Sequence, residues 1–410
     1  MVYIERTLKN TVRKAVKTFP AVIITGPRQS GKTTFLKHEF KETHRFISLE
    51  DPDIRVRAKE DPKGFLDIYK PPLIIDEIQY VPELLSYIKT RIDEDRKPGM
   101  WLFTGSQSFV LMQNVSQSLA GRIAVLELLP LSLAEITGNG KDSITPDELL
   151  SKNEPSGKHK ANPLNLASWI LKGAYPEPVV NKQVDRKLWC SSYIATYLER
   201  DIRQIINVED LDTFNKFLHA CAIRTGQLFN QANIANEIGV SIPTIKRWVS
   251  VLQASYQVYF LKPYYSNIGK RLKKSPKIYF SDTSLATYLM GIHNEETLLN
   301  SHNWGNIFET AVIIDWVKRF TNHGLPPDIY YLQTEDGSEI DLVIEEKQKL
   351  NLFEIKAAST LTPKHALSLK LMGAYLKNKR GKTAIISTIK EIEPVSENIV
   401  GLPWFDYLSQ

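Results

Sequence analysis

The sequence predicts an α/β multidomain protein in three parts, and three observations predict it. Between residues 20 and 137, short β-branched or aromatic runs alternate with helical stretches. Strands alternating with helices form a mainly parallel sheet with helices on both faces. From about 165 to 290 the pattern turns helical, and from about 300 to 410 strands and helices return in a different order. A chain of 410 residues has room for two or three units of roughly 150 residues.

Composition narrows the class. The chain is 42% hydrophobic and 24% charged, ordinary for a globular protein. Its net charge of +6 permits contact with nucleic acid but does not by itself argue for it. The two cysteines, Cys190 and Cys221, cannot build a disulfide framework and suit a reducing, cytoplasmic setting. No apolar run approaches the roughly 20 residues that span a bilayer, so no membrane partner is expected. The opening MVYIERTLKNTVRKAVKTFP is basic and lacks the apolar core of a signal peptide. It reads as an amphipathic helix packed on the first domain, with a membrane-surface helix as the alternative.

In the first domain, residues 1–140, AVIITG, RFISL, PLIID, WLFTG and IAVLELL read as strands, and KTTFLKHEF and PELLSYIKTRIDED as helices. The first strand runs into Gly26, Pro27, Arg28, Gln29, Ser30, Gly31, Lys32, Thr33 and Thr34. This is GxxxxGK plus a hydroxyl residue between strand and helix, the context a phosphate loop requires. Glycines let backbone N–H groups curl around a β-phosphate, and the helix N-terminus adds partial positive charge. Lys32 reaches the β- and γ-phosphates, and the Thr33 hydroxyl is offered to Mg2+. PPLIIDEIQY supplies the acid-ended strand. Asp76 holds magnesium through water, and Glu77 orients and deprotonates the attacking water. ATP and Mg2+ are the expected cofactors. On the next strand Thr104 or Ser106 is a candidate γ-phosphate sensor; the alternative is a loop satisfied by its own backbone. Arg122 is placed either at a γ-phosphate, in its own or a neighbouring subunit, or in a pair with Glu127 or another surface acid. Arg28 lies inside the loop and can shield phosphate charge.

Residues 141–165, within GNGKDSITPDELLSKNEPSGKHKANP, read as a linker or surface loop. Residues 166–230 are helical, around WILKGAY, DRKLWCSSYIATYLERDIRQII and LDTFNKFLHACAIRT. The charge cluster Glu199, Arg200 and Asp201 reads as intrahelical pairing, or else as an interdomain contact that reports nucleotide state. Residues 231–290 read as a winged helix: a helix from Ile234, a Gly239 turn, a second helix capped by Ser241, then strands QVYFLKPY and KIYFSD. The second helix displays Thr244, Lys246 and Arg247, while Ile245, Val249 and Leu252 face inward. N-terminal residues of such a helix contact base edges. The loop between the strands carries Lys262, Lys270, Arg271, Lys273, Lys274 and Lys277 without an acid, with Tyr264 and Tyr265 among them. That suits a wing on phosphates and makes double-stranded DNA the expected partner. A connector or dimer surface is the alternative, and a homo-oligomer is left open.

The C-terminal stretch GSEIDLVIEEKQKLNLFEIKA, Gly337–Ala357, reads as two paired strands with acids in apolar runs. Residues two apart share a strand face, which groups Glu339 with Asp341 and Glu354 with Lys356. The preceding helix, NIFETAVIIDWVKRF, offers Glu309. Three carboxylates and a lysine around a point suit a Mg2+-dependent phosphodiester cut, with Asp341 and Glu354 as metal ligands. Two alternatives stand beside this: solvated ion pairs on an exposed sheet edge, and a scaffold that binds without cutting. Eight histidines occur, none with metal-ligand spacing.

Two resemblances follow. ITGPRQSGKTT, LIIDEIQ, FTGSQ and LAGR…LLPLSLAEI, together with YPEPV and TYLERDIR, resemble prokaryotic AAA+-type ATPases whose core is joined to a C-terminal domain of unknown function. The order helix-Glu, strand-Asp, strand-ExK resembles the restriction-endonuclease-like, or PD-(D/E)xK, fold over residues 291–410, although no proline precedes Asp341. Together they imply a P-loop NTPase core, a helical and winged-helix middle and a restriction-endonuclease-like α/β C-terminal domain. The implied activity is ATP hydrolysis coupled to DNA binding, with cleavage by Glu309, Asp341, Glu354 and Lys356. The rivals are an ATP-dependent DNA-binding regulator and a protein-partner signalling or defence switch.

Overall fold

The computed structural model describes residues 2–106, 118–152, 165–198, 211–264, 275–333, 337–376 and 379–410. Its first sheet contains β1 (Ala21–Thr25), β2 (Arg45–Ser48), β3 (Leu73–Asp76), β4 (Trp101–Gly105) and β5 (Ile123–Glu127), all parallel, in the order β2-β3-β4-β1-β5. Alternate side chains serve opposite faces: Ala21 and Ile23 join one core with Ile75 and Phe103, Val22 and Ile24 another with Ile74 and Leu102. A parallel sheet covered on both faces needs such continuous apolar strands. The amphipathic Lys9–Thr18 helix lays Val12 and Ala15, with the preceding Leu8, on the second face, as its pattern predicts.

Among the described residues the second sheet has nine strands: β6 (Gln227–Leu228), β7 (Val258–Pro263), β8 (Lys277–Phe280), β9 (Ile329–Gln333), β10 (Glu339–Glu346), β11 (Lys349–Lys356), β12 (Arg380–Ser387), β13 (Glu393–Ser396) and β14 (Ile399–Pro403). Their order is β13-β14-β12-β11-β10-β9-β7-β8-β6. The hairpin strand β7 pairs in parallel with β9, Lys262 opposite Tyr330. The sheet therefore crosses the boundary expected at residue 290. The reason is an edge: once the chain leaves β7, its unpaired backbone groups find partners on β9.

Residues 141–152 are not an open linker. Pro146–Ser151 is helical, with a capping box between Thr145 and Glu148. Leu149 and Leu150 are buried in the core of the C-terminal unit, beside Val317 and Phe320. The rest of the expected linker lies outside the described residues. In the C-terminal unit the Trp304–Asn322 helix covers one face of the sheet, with Leu342, Ile344, Phe353 and Ile355 beneath it. The Leu367–Leu376 helix covers the other.

Candidate functional site

The phosphate loop leaves the C-terminal end of β1, and backbone conformation shapes it. Gly26 has φ 145°, and a Cβ there would stand 2.3 Å from the Leu128 carbonyl oxygen, so the residue after β5 leaves room for hydrogen alone. Gln29 (φ 60°) and Gly31 (φ 93°) turn the chain into the Lys32–Phe40 helix. Gly31 caps that helix without a side chain, so its first N–H groups face the loop. Lys32 is buried and its Nζ donates to the carbonyls of Gly26 (3.1 Å) and Pro27 (2.8 Å). The loop's own oxygens thus hold the ammonium at the place of the cradle.

Three hydroxyls converge on buried Asp76 at the end of β3. Thr33 Oγ1 donates to Oδ1 at 2.6 Å, Thr104 Oγ1 to the same oxygen at 2.7 Å, and Ser48 Oγ to Oδ2 at 3.1 Å. Parallel register makes this possible, since Ser48 stands opposite Asp76. Glu77 sits in the left-handed region, φ 55° and ψ 49°, with its N–H on Thr104 Oγ1. Its Oε2 accepts from Ser106 Oγ at 3.1 Å and from Gln79. Gln79 also donates to Ser106 Oγ at 3.0 Å. Of the two sensor candidates, Thr104 therefore touches Asp76, and Ser106 touches Glu77.

A cavity of about 480 Å³ opens over this cradle. Arg28, Gln29, Gly31 and Thr34 line it with Lys32, Thr33 and Glu77. Tyr3 and Ile4 form one wall, and Pro176, Val180 and Asn181 of the middle part another. Arg6, which no motif singles out, is buried against it. Its guanidinium donates to Ser30 O (2.9 Å), Leu129 O (2.6 Å) and Glu135 Oε1 (3.1 Å). Glu135 is fixed in turn by the N–H groups of Thr7 and Ser132. A basic residue in an otherwise amphipathic leader carries no signal of such a role, because its partners lie up to 129 residues away.

Arg122 is not at the cradle of its own chain. It precedes β5, next to the start of β1, whereas the loop follows the end of β1. Its Nε and Nη2 grip Asp93 at 2.6 and 3.0 Å, the surface-acid alternative rather than Glu127. Parallel strands place their two ends on opposite edges of the sheet, which separates it from the phosphates. Glu127 instead lies near Tyr256 with its side chain exposed, and the desolvation it meets there raises its pKa.

In the middle part, helix Gln231–Ile238 ends on Gly239 at φ 80°, and Ile242–Ala254 starts from Ser241, whose Oγ accepts from Thr244 N. Ile245, Val249 and Leu252 are buried, Thr244 is half-buried, and Lys246 and Arg247 are exposed. Lys270, Arg271, Lys273 and Lys274, like Glu199, Arg200 and Asp201, lie outside the described residues. Two residues just past this helix reach the phosphate loop. Tyr256 OH donates to Thr25 Oγ1 at 2.9 Å, and Gln257 Nε2 donates to Tyr193 OH at 3.2 Å, which donates to Arg28 O at 3.5 Å.

The C-terminal charges come together, but in two ion-paired groups. The β10–β11 ladder runs from Glu346–Lys349 to Leu342–Phe353, which leaves Asp341 next in line with Glu354. A bulge between Ile340 and Val343 breaks the β9 register there and re-aims the side chain. Asp341 Oδ2 accepts from Ile355 N (2.8 Å) and Lys356 Nζ (3.2 Å), and Lys356 also donates to Glu354 Oε2 at 2.8 Å. Glu309 Oε1 accepts from Lys277 Nζ (2.9 Å) and Tyr279 OH (2.6 Å), and Lys277 reaches Glu339 at 2.5 Å. Lys277 is thus buried in this cluster and not on the wing expected of it: in β8 its alternation points it at Glu309.

Burial and repulsion from Asp341 push Glu309 up to about 7 and Glu354 up to about 9. Asp341 is also buried, but Lys356, a hydrogen bond with Glu354, and Lys277 hold it below the usual carboxylate range. Glu309, Asp341 and Glu354 are 8%, 6% and 3% exposed, which rules out a solvated sheet edge. Asp341 and Glu354, the two expected metal ligands, both face the ammonium of Lys356. Among the described residues no three His, Cys, Asp or Glu side chains are grouped to hold one ion. Among the described residues, too, no helix is long and apolar enough to cross a membrane.

Comparison with known proteins matches three stretches of the chain. Residues 18–137 match the AAA domain family, 164–296 a domain of unknown function (DUF8612) and 304–407 another (DUF4143). An uncharacterized protein of Mycobacterium tuberculosis is 28% identical over 96% of this chain and 82% of its own length. One from Methanocaldococcus jannaschii is 22% identical over 94% of this chain and 84% of its own. Among solved structures, the Walker-type ATPase of Pyrococcus abyssi overlaps 70% of this chain and 96% of its own at 14% identity and a TM-score of 0.44. The RuvB Holliday junction branch migration motor of Thermotoga maritima overlaps 62% and 89% at 16% identity and a TM-score of 0.28. The N-terminal third of the chain is thus similar to the AAA domain family and has a parallel-sheet, P-loop ATPase-like core.

Proposed function

We propose that this P-loop domain binds and hydrolyses ATP, and that nucleotide occupancy sets the position of a DNA-reading middle part. The observation that carries the reading is the hydrogen-bonded set Lys32, Thr33, Asp76 and Glu77 at the C-terminal ends of parallel strands, where α/β proteins bind ligands. Lys32 leaves the carbonyls of Gly26 and Pro27 for the β- and γ-phosphate oxygens. Thr33 and Asp76, 2.6 Å apart, are hard oxygen donors that fit Mg2+, which when bound neutralises charge across the β- and γ-oxygens. Glu77 is the base that orients the attacking water. Ser106 and Gln79 hold its carboxylate until it turns to that water.

The cavity has walls from both the first domain and the 176–181 segment, so a nucleotide joins the two. Tyr256 and Gln257 tie the loop to the end of the Ile242–Ala254 helix, whose exposed Lys246 and Arg247 would meet DNA. A helix followed by β9, β10, β11, a helix and β12 supports a restriction-endonuclease-like scaffold for the C-terminal part. With its acids ion-paired, we read that scaffold as binding without cutting.

ATP turnover with Mg2+ tests the reading. Lys32→Ala should abolish turnover, and Glu77→Gln should bind ATP but not hydrolyse it. Wild-type turnover by Lys32→Ala overturns the assignment. DNA affinity should fall steeply with salt and weaken when Lys246 and Arg247 are neutralised. Salt-insensitive binding, indifferent to both residues, overturns the DNA-reading part.

A further inference from the structure

We infer that Lys277 and Lys356 are the resident cations of the C-terminal carboxylate cluster, that the cluster holds no divalent metal, and that it fastens the β7–β8 hairpin to the C-terminal unit. Four acids gather here: Glu309, Glu339, Asp341 and Glu354. Each contacts an ammonium at 2.5–3.2 Å. A hard divalent cation takes oxygens at roughly 2.0–2.6 Å, Mg2+ through one or two carboxylates with waters completing its shell. Here Glu309 Oε1 is spent on Lys277 and Tyr279, and Asp341 Oδ2 on Lys356 and the Ile355 N–H. Those oxygens face two nitrogens, and a divalent cation would have to displace an ammonium to reach them.

Lys277 comes from β8, while its acids come from the Trp304–Asn322 helix and β10. It is 3% exposed, with Tyr279 and Tyr331 around it. Removing one partner of a buried pair leaves the other uncompensated, which is strongly destabilising. The pair therefore works as a joint: the hairpin that follows the Ile242–Ala254 helix cannot leave the C-terminal sheet without stranding buried Glu309 and unpairing half-buried Glu339. The inference rests on the C-terminal geometry and is independent of ATP hydrolysis.

Manganese titration of the nucleotide-free full-length chain, read by electron paramagnetic resonance, tests it. Any Mn2+ at Thr33 and Asp76 is common to all variants and cancels. Wild type, Asp341→Asn and Glu354→Gln should bind the same number of ions with the same isotherm. One more ion in wild type than in both variants overturns the inference, since a metal would then sit on these acids. Lys277→Met should lower the melting temperature by roughly 5 °C or more, and Lys277→Arg should restore part of it. A Lys277→Met protein as stable as wild type removes the joint.

Discussion

Replacing Arg6 by methionine tests how the cradle is held. Arg6 is 4% exposed and makes three charged hydrogen bonds, to Ser30 O, Leu129 O and Glu135 Oε1. Taken singly, each is worth about 1.5–3 kcal/mol, but bonds sharing one donor group do not add. Breaking a buried pair typically costs about 3–5 kcal/mol. Glu135 keeps the N–H groups of Thr7 and Ser132, so the low end applies. We expect Arg6→Met to lose about 3 kcal/mol, or roughly 6–12 °C in melting temperature. Release of Ser30 O also loosens the loop, which should weaken ATP binding by roughly 5–10-fold. Arg6→Lys should fall between, since one compact ammonium cannot face three separated acceptors. Scanning fluorimetry and titration with a fluorescent ATP analogue read both effects. A methionine variant that melts within about 1 °C of wild type and binds ATP equally well refutes the reasoning.

Gly26→Ala should eliminate nucleotide binding, because its Cβ meets the Leu128 carbonyl oxygen at 2.3 Å; Gly31→Ala meets nothing nearer than 3.7 Å and should lose only the roughly 1–2 kcal/mol of a left-handed backbone. Equal ATP affinities for the two would show that sterics do not shape the loop. Tyr256→Phe keeps the ring but deletes the donor to Thr25. Nucleotide-induced hydrogen-exchange protection of residues 242–254 should disappear while ATP still binds, and persistence of that protection would break the proposed link. Glu354 takes up its proton more readily folded than unfolded, at about 9 against 4.5. Its stabilising contribution is complete below pH 4.5 and is lost as pH rises toward 9. Glu354→Gln should therefore flatten the fall of denaturation midpoint across that range; an unchanged slope would show that Glu354 does not titrate there.

The phosphate loop was legible because its chemistry is local. A strand, two glycines, a lysine and a hydroxyl within nine residues fix a backbone shape whatever surrounds it, and Asp76 and Glu77 follow from the next acid-ended strand. Gln79 was within reach of the same reading, two residues beyond Glu77. The turn at Gly239, the cap at Ser241 and the inward Ile245, Val249 and Leu252 were legible for the same reason. Arg6 was not, since nothing in its neighbourhood predicts Ser30, Leu129 and Glu135. The Arg122 position depended on which end of β5 faces the loop, and spacing along the chain is silent about that.

Thus the sequence by itself determined the nucleotide cradle, the strand-and-helix division and the gathering of Glu309, Asp341, Glu354 and Lys356 in one unit. Only the tertiary structure decided that β7 joins β9, that residues 146–151 pack on the C-terminal core, and that Lys277 reaches Glu309 and Glu339. Backbone conformation is set by neighbours in the chain, whereas the partner of a buried charge is set by whichever opposite charge the fold brings within about 3 Å, where the interaction is strong enough to decide its state.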